Sequence, residues 1–410
     1  MELNKFLKSA FIKDSIILTI GTVISYIIIF FSLGFVTKYY EPSTFGEYSL
    51  IVGVIASINI ISLGRLEPGI IRYTDIEESK ILTYITDRVL LYMSLASLII
   101  ISILYSINLV EVIYFVIPIS VFLLGKISIY KTWLNKDKKY KVMSINSIYF
   151  YSVKSIFEVG LGFFSFTNLG LYISYFVSNF VSLFHLKKHL ATIKSKSSKL
   201  TRKRIFSENK NLVKYGLPNV ISDSVRSVII LYLIKYFFDE EKVGYYVFSI
   251  RILSIPIGIL SSNIGKVFYE KISSDKNHLL RNSYKMIKYL SILSFLTFVL
   301  SFLLLEPILK IFINKNFYSS IDISLRLLPW YCVSLVASPL TYILISIHKE
   351  GLALISSVLY SLIAISTVLV FNSDFDKFIQ FQGLTLSMFL IIYIIAVILI
   401  LKRYAKKNNQ

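Results

Sequence analysis

The run SIILTIGTVISYIIIFFSLGFVT, Ser15 to Thr37, carries no charged residue and is longer than a signal-peptide core. A hydrocarbon layer roughly 30 Å thick takes about 20 apolar residues as helix, since each adds about 1.5 Å. The run therefore predicts a membrane-spanning helix. Lys5, Lys8 and Lys13 precede it and no small-residue cleavage site follows, so it is expected to be kept as the first span. Similar apolar blocks recur with charged breaks between them, near 48–70, 82–104, 111–130, 142–164 and 169–186. A second set follows near 216–237, 244–266, 286–305, 326–347, 352–371 and 383–401. The chain of 410 residues is 55% hydrophobic and only 17% charged, where a soluble domain carries roughly 25%. Strands of a membrane barrel would instead alternate in polarity over segments of about ten residues. The expected fold class is all-α, a polytopic membrane protein of about twelve spans.

Placing the amino terminus in the cytoplasm sorts the basic residues sharply. Loops on the far side hold only Lys38, Lys235, Lys242, Lys310, Lys315 and Lys377. Arg65, Lys126, Lys154, Arg226, Arg251 and Arg326 fall within spans, and the rest of the 44 Lys and Arg lie on the near side. This is the positive-inside pattern, and it puts both ends in the cytoplasm. It also explains the net charge of +20 without nucleic acid, with some attraction to anionic headgroups. The longest near-side loop contains KSKSSKLTRKR and divides the chain. An N-terminal bundle of six spans is expected over 1–186, a basic cytoplasmic linker over 187–214, and a C-terminal bundle over 215–410. The linker reads as solvated chain, with a lipid-surface or regulatory segment as the alternative.

The two halves echo each other. Tyr40-Glu41-Pro42-Ser43-Thr44-Phe45-Gly46-Glu47-Tyr48 aligns with Phe238-Asp239-Glu240-Glu241-Lys242-Val243-Gly244-Tyr245-Tyr246. In each, an aromatic ends a helix, an acidic turn follows, and Gly-x-Tyr opens the next helix. The expected roles are a tight hairpin with glycine at positive φ and a tyrosine anchored at the interface. Recurrence at one topological place points to a duplicated six-helix unit in parallel orientation.

The stretch FGEYSLIVGVIASINIISLGRLEPGIIR, with Gly46, Tyr48, Leu63, Gly64 and Arg72, resembles the second helix of the Wzx-type polysaccharide flippases. EPILKIFINKNFYSSIDISLRLLPWY resembles that family's link between its ninth and tenth helices. The likeness spans most of the chain and extends to the wider superfamily of multidrug exporters and the lipid II flippase. The lipid II flippase usually has fourteen helices, more than are read here. The resemblance implies two pseudo-symmetric six-helix bundles around a central cationic cavity, in a bacterial inner membrane. It implies transport of an undecaprenyl-diphosphate-linked oligosaccharide, for O-antigen or capsule, from the cytoplasmic to the outer leaflet by alternating access. Partners would be membrane lipids, a polysaccharide polymerase and a chain-length regulator.

Charges inside the membrane are costly, so they should face a bundle interior or water. Lys154 with Glu158, and Asp223 with Arg226, share helix faces by their spacing. They read either as self-neutralising pairs or as the walls of a wet, net-positive cavity. The resemblance makes Arg226, Arg251, Lys154, Arg65 and Lys126 the candidate residues for binding the diphosphate, and the arginines suit that task because a guanidinium can grip phosphate in bidentate fashion. Arg65, Lys126 and Arg326 lie near helix ends, where snorkelling is the competing explanation. Glu158 and Asp223 are candidate ion-coupling sites, and Glu67 beside Pro68 is ambiguous. Pro118, Pro218, Pro256, Pro329 and Pro339 interrupt spans, and bending during transport is expected at Pro218 and Pro256. The 29 Tyr and 31 Phe read mostly as interfacial belts and composition.

No catalytic residue, cofactor or metal is expected. Cys332 is the only cysteine, which rules out an internal disulfide. His185 and His189 have ligand spacing but no acidic or thiol neighbour. No GxxxxGK[ST] motif points to ATP hydrolysis. A small-cation exporter of the same superfamily would need an acidic pathway, whereas the deep spans are net basic. A membrane glycosyltransferase or polysaccharide polymerase would need acid–base residues on a large outer loop. The longest such loop, Glu306 to Leu325, holds only Glu306 and Asp322 as acids.

Overall fold

A computed structural model describes residues 10–190, 198–254, 279–346 and 349–408. Every regular element among them is helical. The first half runs α1 (Ala10–Tyr39), α2 (Pro42–Ser62), the short α3 (Glu67–Arg72), α4 (Ile76–Ser106), α5 (Val116–Lys136), α6 (Tyr140–Phe163) and α7 (Thr167–Lys188). Then come α8 (Lys199–Asn211), a π turn (Leu212–Gly216), α9 (Leu217–Phe237) and α10 (240–254). The chain continues with α11 (Leu279–Phe312), α12 (Ser319–Ala337), the short α13 (Leu340–Ser346), α14 (Glu350–Val370) and α15 (Phe375–Asn408). Pro256 and the expected span beyond residue 254 lie outside the described residues.

Nine spans among the described residues are long and apolar enough to cross a membrane, and the protein is a multi-pass membrane protein. Helix α6 has 24 residues and α9 has 21, lengths that suffice for a span, but neither is apolar enough to join that set. These two helices carry the Lys154–Glu158 and Asp223–Arg226 pairs.

The chain forms two compact units. The first holds the residues up to Ser32 with Glu47–Val228, and the second holds Leu33–Gly46 with Ile229–Gln410. Within the first, polar groups join helices where lipid offers no partner for them. Asn146 Nδ2 donates to the Ser182 carbonyl at 2.9 Å, and Ser182 Oγ donates back to Asn146 Oδ1 at 3.0 Å, joining α6 to α7. Trp133 Nε1 donates to Thr83 Oγ1 at 2.9 Å, joining α5 to α4.

The second span stops at Ser62, short of the expected residue 70. Gly64 and Arg65 both take left-handed conformations, with φ of 58° and 57°, which turn the chain out of the helix. It restarts as α3 with Pro68 in the first turn, where proline needs no N–H. Lys136 closes the other end of α3, donating to the carbonyls of Ile70 at 3.1 Å and Tyr73 at 2.6 Å. The tenth span also breaks, after Ala337, with Pro339 ahead of α13.

In the second unit the two Gly-x-Tyr hairpins interlock reciprocally. A Cβ on Gly46 would lie 2.1 Å from the Glu240 carbonyl oxygen, and one on Gly244 would lie 1.8 Å from that of Pro42. Gly46 corresponds to Gly244 in the repeat and Pro42 to Glu240, so the contact is two-fold symmetric in sequence. Neither glycine has a positive φ. Close backbone approach, and not the turn conformation expected from sequence, is what requires glycine here.

Candidate functional site

Helix α6 carries the most deeply buried charge pair among the described residues. Lys154 Nζ sits 3.2 Å from Glu158 Oε1, one turn away, with side-chain exposures of 12% and 0%. Removing either partner of so buried a pair would leave the other charge uncompensated. The ammonium also lies 5.7 Å from the centre of the Tyr48 ring, a cation–π distance. Tyr48 is in turn edge-on to Tyr172 at 5.4 Å and Tyr175 at 6.2 Å. Helices α2, α6 and α7 therefore converge on Lys154, and all three tyrosines are buried. Sequence reading assigned tyrosines to interfacial belts and missed this group. Only Tyr48 had a local signal, as the last residue of the repeated motif.

Helix α9 carries the second pair, Arg226 Nη1 donating to Asp223 Oδ1 at 2.9 Å. Here the exposures are reversed in sense: the arginine is 18% exposed and the aspartate 52%. Ser57 Oγ donates to the Ser224 carbonyl at 3.2 Å and ties this segment of α9 to α2. The spacing-based pairings are thus both present, and both belong to the first unit.

The remaining candidates are placed differently. Lys126 pairs with Asp87 of α4 at 2.7 Å and lies 5.7 Å from the Phe122 ring. Sequence reading had not singled out Asp87. Arg65, in its left-handed conformation, packs beside the π turn, its Cγ 3.1 Å from where a Cβ on Gly216 would stand. Beside it, burial pushes the Glu67 carboxyl above the ordinary range, opposed by its own backbone N–H and by the Arg65 guanidinium. Arg251 belongs to the second unit, where its guanidinium lies 5.8 Å from the Phe45 ring. Phe45 packs edge-on against Phe248 and Phe317. Arg326 joins α12 to α15 through Asp376, at 3.0 Å to the carboxylate and 3.2 Å to the carbonyl.

No group of three metal-ligating side chains occurs among the described residues. His185 is instead in contact with Asn146 at 3.3 Å and edge-on to Tyr149 at 4.9 Å, within the α6–α7 packing.

Residues 35–322 match a sequence family described as "Polysaccharide biosynthesis protein". The chain belongs to that family. Among solved structures, one similar to this member is a lipid II flippase, MurJ, in an inward closed conformation. Its TM-score is 0.75 at 13% identity, over 95% of this chain and 87% of that one. An inward-facing multidrug resistance MATE family transporter of the MOP superfamily gives 0.72 at 12% identity, over 94% and 95%. A MOP superfamily transporter from Pyrococcus furiosus, described as having a binding pocket of reverse polarity, gives 0.65 at 12% identity, over 97% and 96%. At these identities the likeness is one of fold: this polysaccharide-biosynthesis family member has the helical fold of MOP superfamily transporters. No match was found among curated protein sequences.

Proposed function

We propose that the protein is a non-enzymatic flippase for an undecaprenyl-diphosphate-linked oligosaccharide repeat unit. It moves the sugar and diphosphate from the cytoplasmic to the outer leaflet of a bacterial inner membrane by alternating access. The isoprenoid tail stays in lipid throughout, so only the head needs a polar route. The observation that supports this reading most strongly is that α6 and α9 are long enough to span but polar, and hold basic residues within them. Hydrocarbon would not tolerate them there unless they face other protein or water. In a family of polysaccharide biosynthesis, a diphosphate is the anion such groups would meet.

In this reading Arg226, Arg251 and Lys154 bind the diphosphate, with Arg65 and Lys126 nearer the ends of the route. Glu158 and Asp223 hold the cations in place between transport events and are the candidate coupling sites. Alternating access would have the two bundles, over 1–186 and 215–410, move relative to each other. A polysaccharide polymerase and chain-length regulator take the product onward, for O-antigen or capsule. The fold is equally that of multidrug exporters, but a cation exporter fits poorly with basic residues at depth. The test is surface glycan in cells carrying Arg226→Ala or Arg251→Ala, measured against the amount of membrane-inserted protein. Loss of glycan at normal protein level is expected, and full glycan in both variants contradicts the assignment.

A further inference from the structure

The basic segment between α7 and α9 is more than solvated chain. Residues 199–211 form α8, whose start is capped by Ser198 Oγ accepting from the Thr201 N–H at 3.1 Å. One face of α8 is fastened to the first unit. Ile205 is fully buried and Asn209 nearly so. Asn209 Nδ2 donates to the Tyr73 hydroxyl at 2.7 Å, Tyr73 donates to Glu208 at 2.8 Å, and Arg204 Nη2 meets Glu78 at 2.6 Å. Arg202 lies 4.7 Å from the Tyr84 ring. Glu78 and Tyr84 belong to the first turns of α4, and the π turn leads from α8 directly into α9. Helix α4 has 31 residues and is about 46 Å long, more than the hydrocarbon thickness. All its charged residues, Glu77, Glu78, Lys80, Asp87 and Arg88, lie toward its start, which puts that end, and the helix docked on it, at headgroup level.

The opposite face of α8 touches nothing in the described structure that would explain its composition. At about 100° per residue, Leu200, Lys203, Phe206, Ser207 and Lys210 fall within an arc of roughly 120°. Lys203 and Lys210 run down the middle of that arc, with Leu200 and Phe206 at its two edges. All five are exposed, Leu200 at 81% and Phe206 at 43%. The acid of α8, Glu208, is turned away toward Tyr73 and Arg204. The free face is thus purely cationic with an apolar side chain on either flank, held at the depth of lipid phosphates.

We propose that this face of α8 docks on the anionic phospholipid headgroups of the adjoining leaflet, which the positive-inside pattern makes the cytoplasmic one. Lys203 and Lys210 meet headgroup phosphates, and Leu200 and Phe206 enter the upper acyl region. The contact pins α8, and through Tyr73 and Glu78 it steadies the turn at α3 and the start of α4.

The test uses the full chain carrying Ser207→Cys, labelled with an environment-sensitive dye; the native Cys332 is buried and escapes labelling. The protein is placed in nanodiscs of phosphatidylcholine alone or with about one third phosphatidylglycerol, an amount that gives a strongly negative surface. Brominated acyl chains serve as quencher. The expected result is a blue-shifted, quenched dye in the anionic discs and weaker quenching in the neutral ones. Each lysine removed by Lys203→Gln or Lys210→Gln should lower the affinity for the anionic surface about fivefold, and arginine should substitute for lysine. Hydrogen exchange over residues 199–211 reports whether α8 is still folded in each variant. Water-like, unquenched dye in both lipids overturns the proposal. So does quenching indifferent to lipid charge and to both lysines, which would mean apolar insertion alone. Shielding of the dye only in native membranes, with a protein cross-linked at residue 207, would assign the face to a protein partner and overturn it equally.

Discussion

At the scale of residues, the two ion pairs differ in a way that sequence spacing did not convey. Glu158 is fully buried, so Lys154→Met strands a carboxylate away from water and should cost about 3–5 kcal/mol. A lowered melting temperature in detergent is expected, with much of it recovered in Lys154→Met combined with Glu158→Gln. An unchanged melting temperature in the single variant would show that the pair is not buried in solution. Asp223 is half exposed, and its exchange for Asn should cost at most about 1 kcal/mol. The double variant Asp223→Asn with Arg226→Gln should therefore insert at normal level yet export no glycan. Restored glycan would remove Arg226 from the binding residues. The i,i+4 and i,i+3 pairs were legible because one helix face is fixed by its own geometry. The partners of Lys126 and Arg326 were not, because Asp87 and Asp376 come from other helices and no local rule reaches them. The same limit hid Tyr172 and Tyr175, whose place beside Tyr48 and Lys154 depends on how α2, α6 and α7 pack.

At the scale of elements, glycine decides where helices stop and where they touch. Gly46→Val and Gly244→Val each force a side chain onto a carbonyl oxygen of the other hairpin. Each should cost about 1–3 kcal/mol, as overpacking does. The two changes part the same pair of hairpins, so the double variant should lose less than the sum of the singles in thermal unfolding. Strict additivity would mean that the hairpins do not share one contact. Gly64→Ala should cost about 1–2 kcal/mol through its left-handed backbone, with no change in packing needed. Hydropathy located the spans well, because a bilayer fixes their length. It overran the second span, since Leu63, Gly64 and Leu66 continue the apolar run while their backbone has already left the helix. It also missed α8. Ile205 is the one apolar side chain sealed under that helix, too little to form a periodic signal, and the groups that hold the helix, Tyr73, Glu78 and Tyr84, lie far from it in sequence.

At the scale of the whole molecule, the alternation of basic and non-basic loops predicts one orientation. Reporters fused after Ser195 and after Gln410 should read cytoplasmic, and one after Asp239 external. A cytoplasmic reading at Asp239 would overturn the span count and, with it, the duplicated hairpins. The fold class was legible because hydrocarbon demands long apolar helices, and α6 and α9 were found despite their polarity because charged loops bound them. The proposed cargo rests on resemblance alone, since the proposed binding residues are a few scattered cations and not a motif. The most direct measurement follows a fluorescent undecaprenyl-diphosphate oligosaccharide in vesicles holding the purified protein. A membrane-impermeant quencher reports which leaflet the sugar occupies. The account predicts protein-dependent transfer of the sugar between leaflets, abolished by Arg226→Ala and by Arg251→Ala at equal protein incorporation. Absence of transfer by the wild-type protein, in vesicles where the same protein moves a small organic cation, would contradict it.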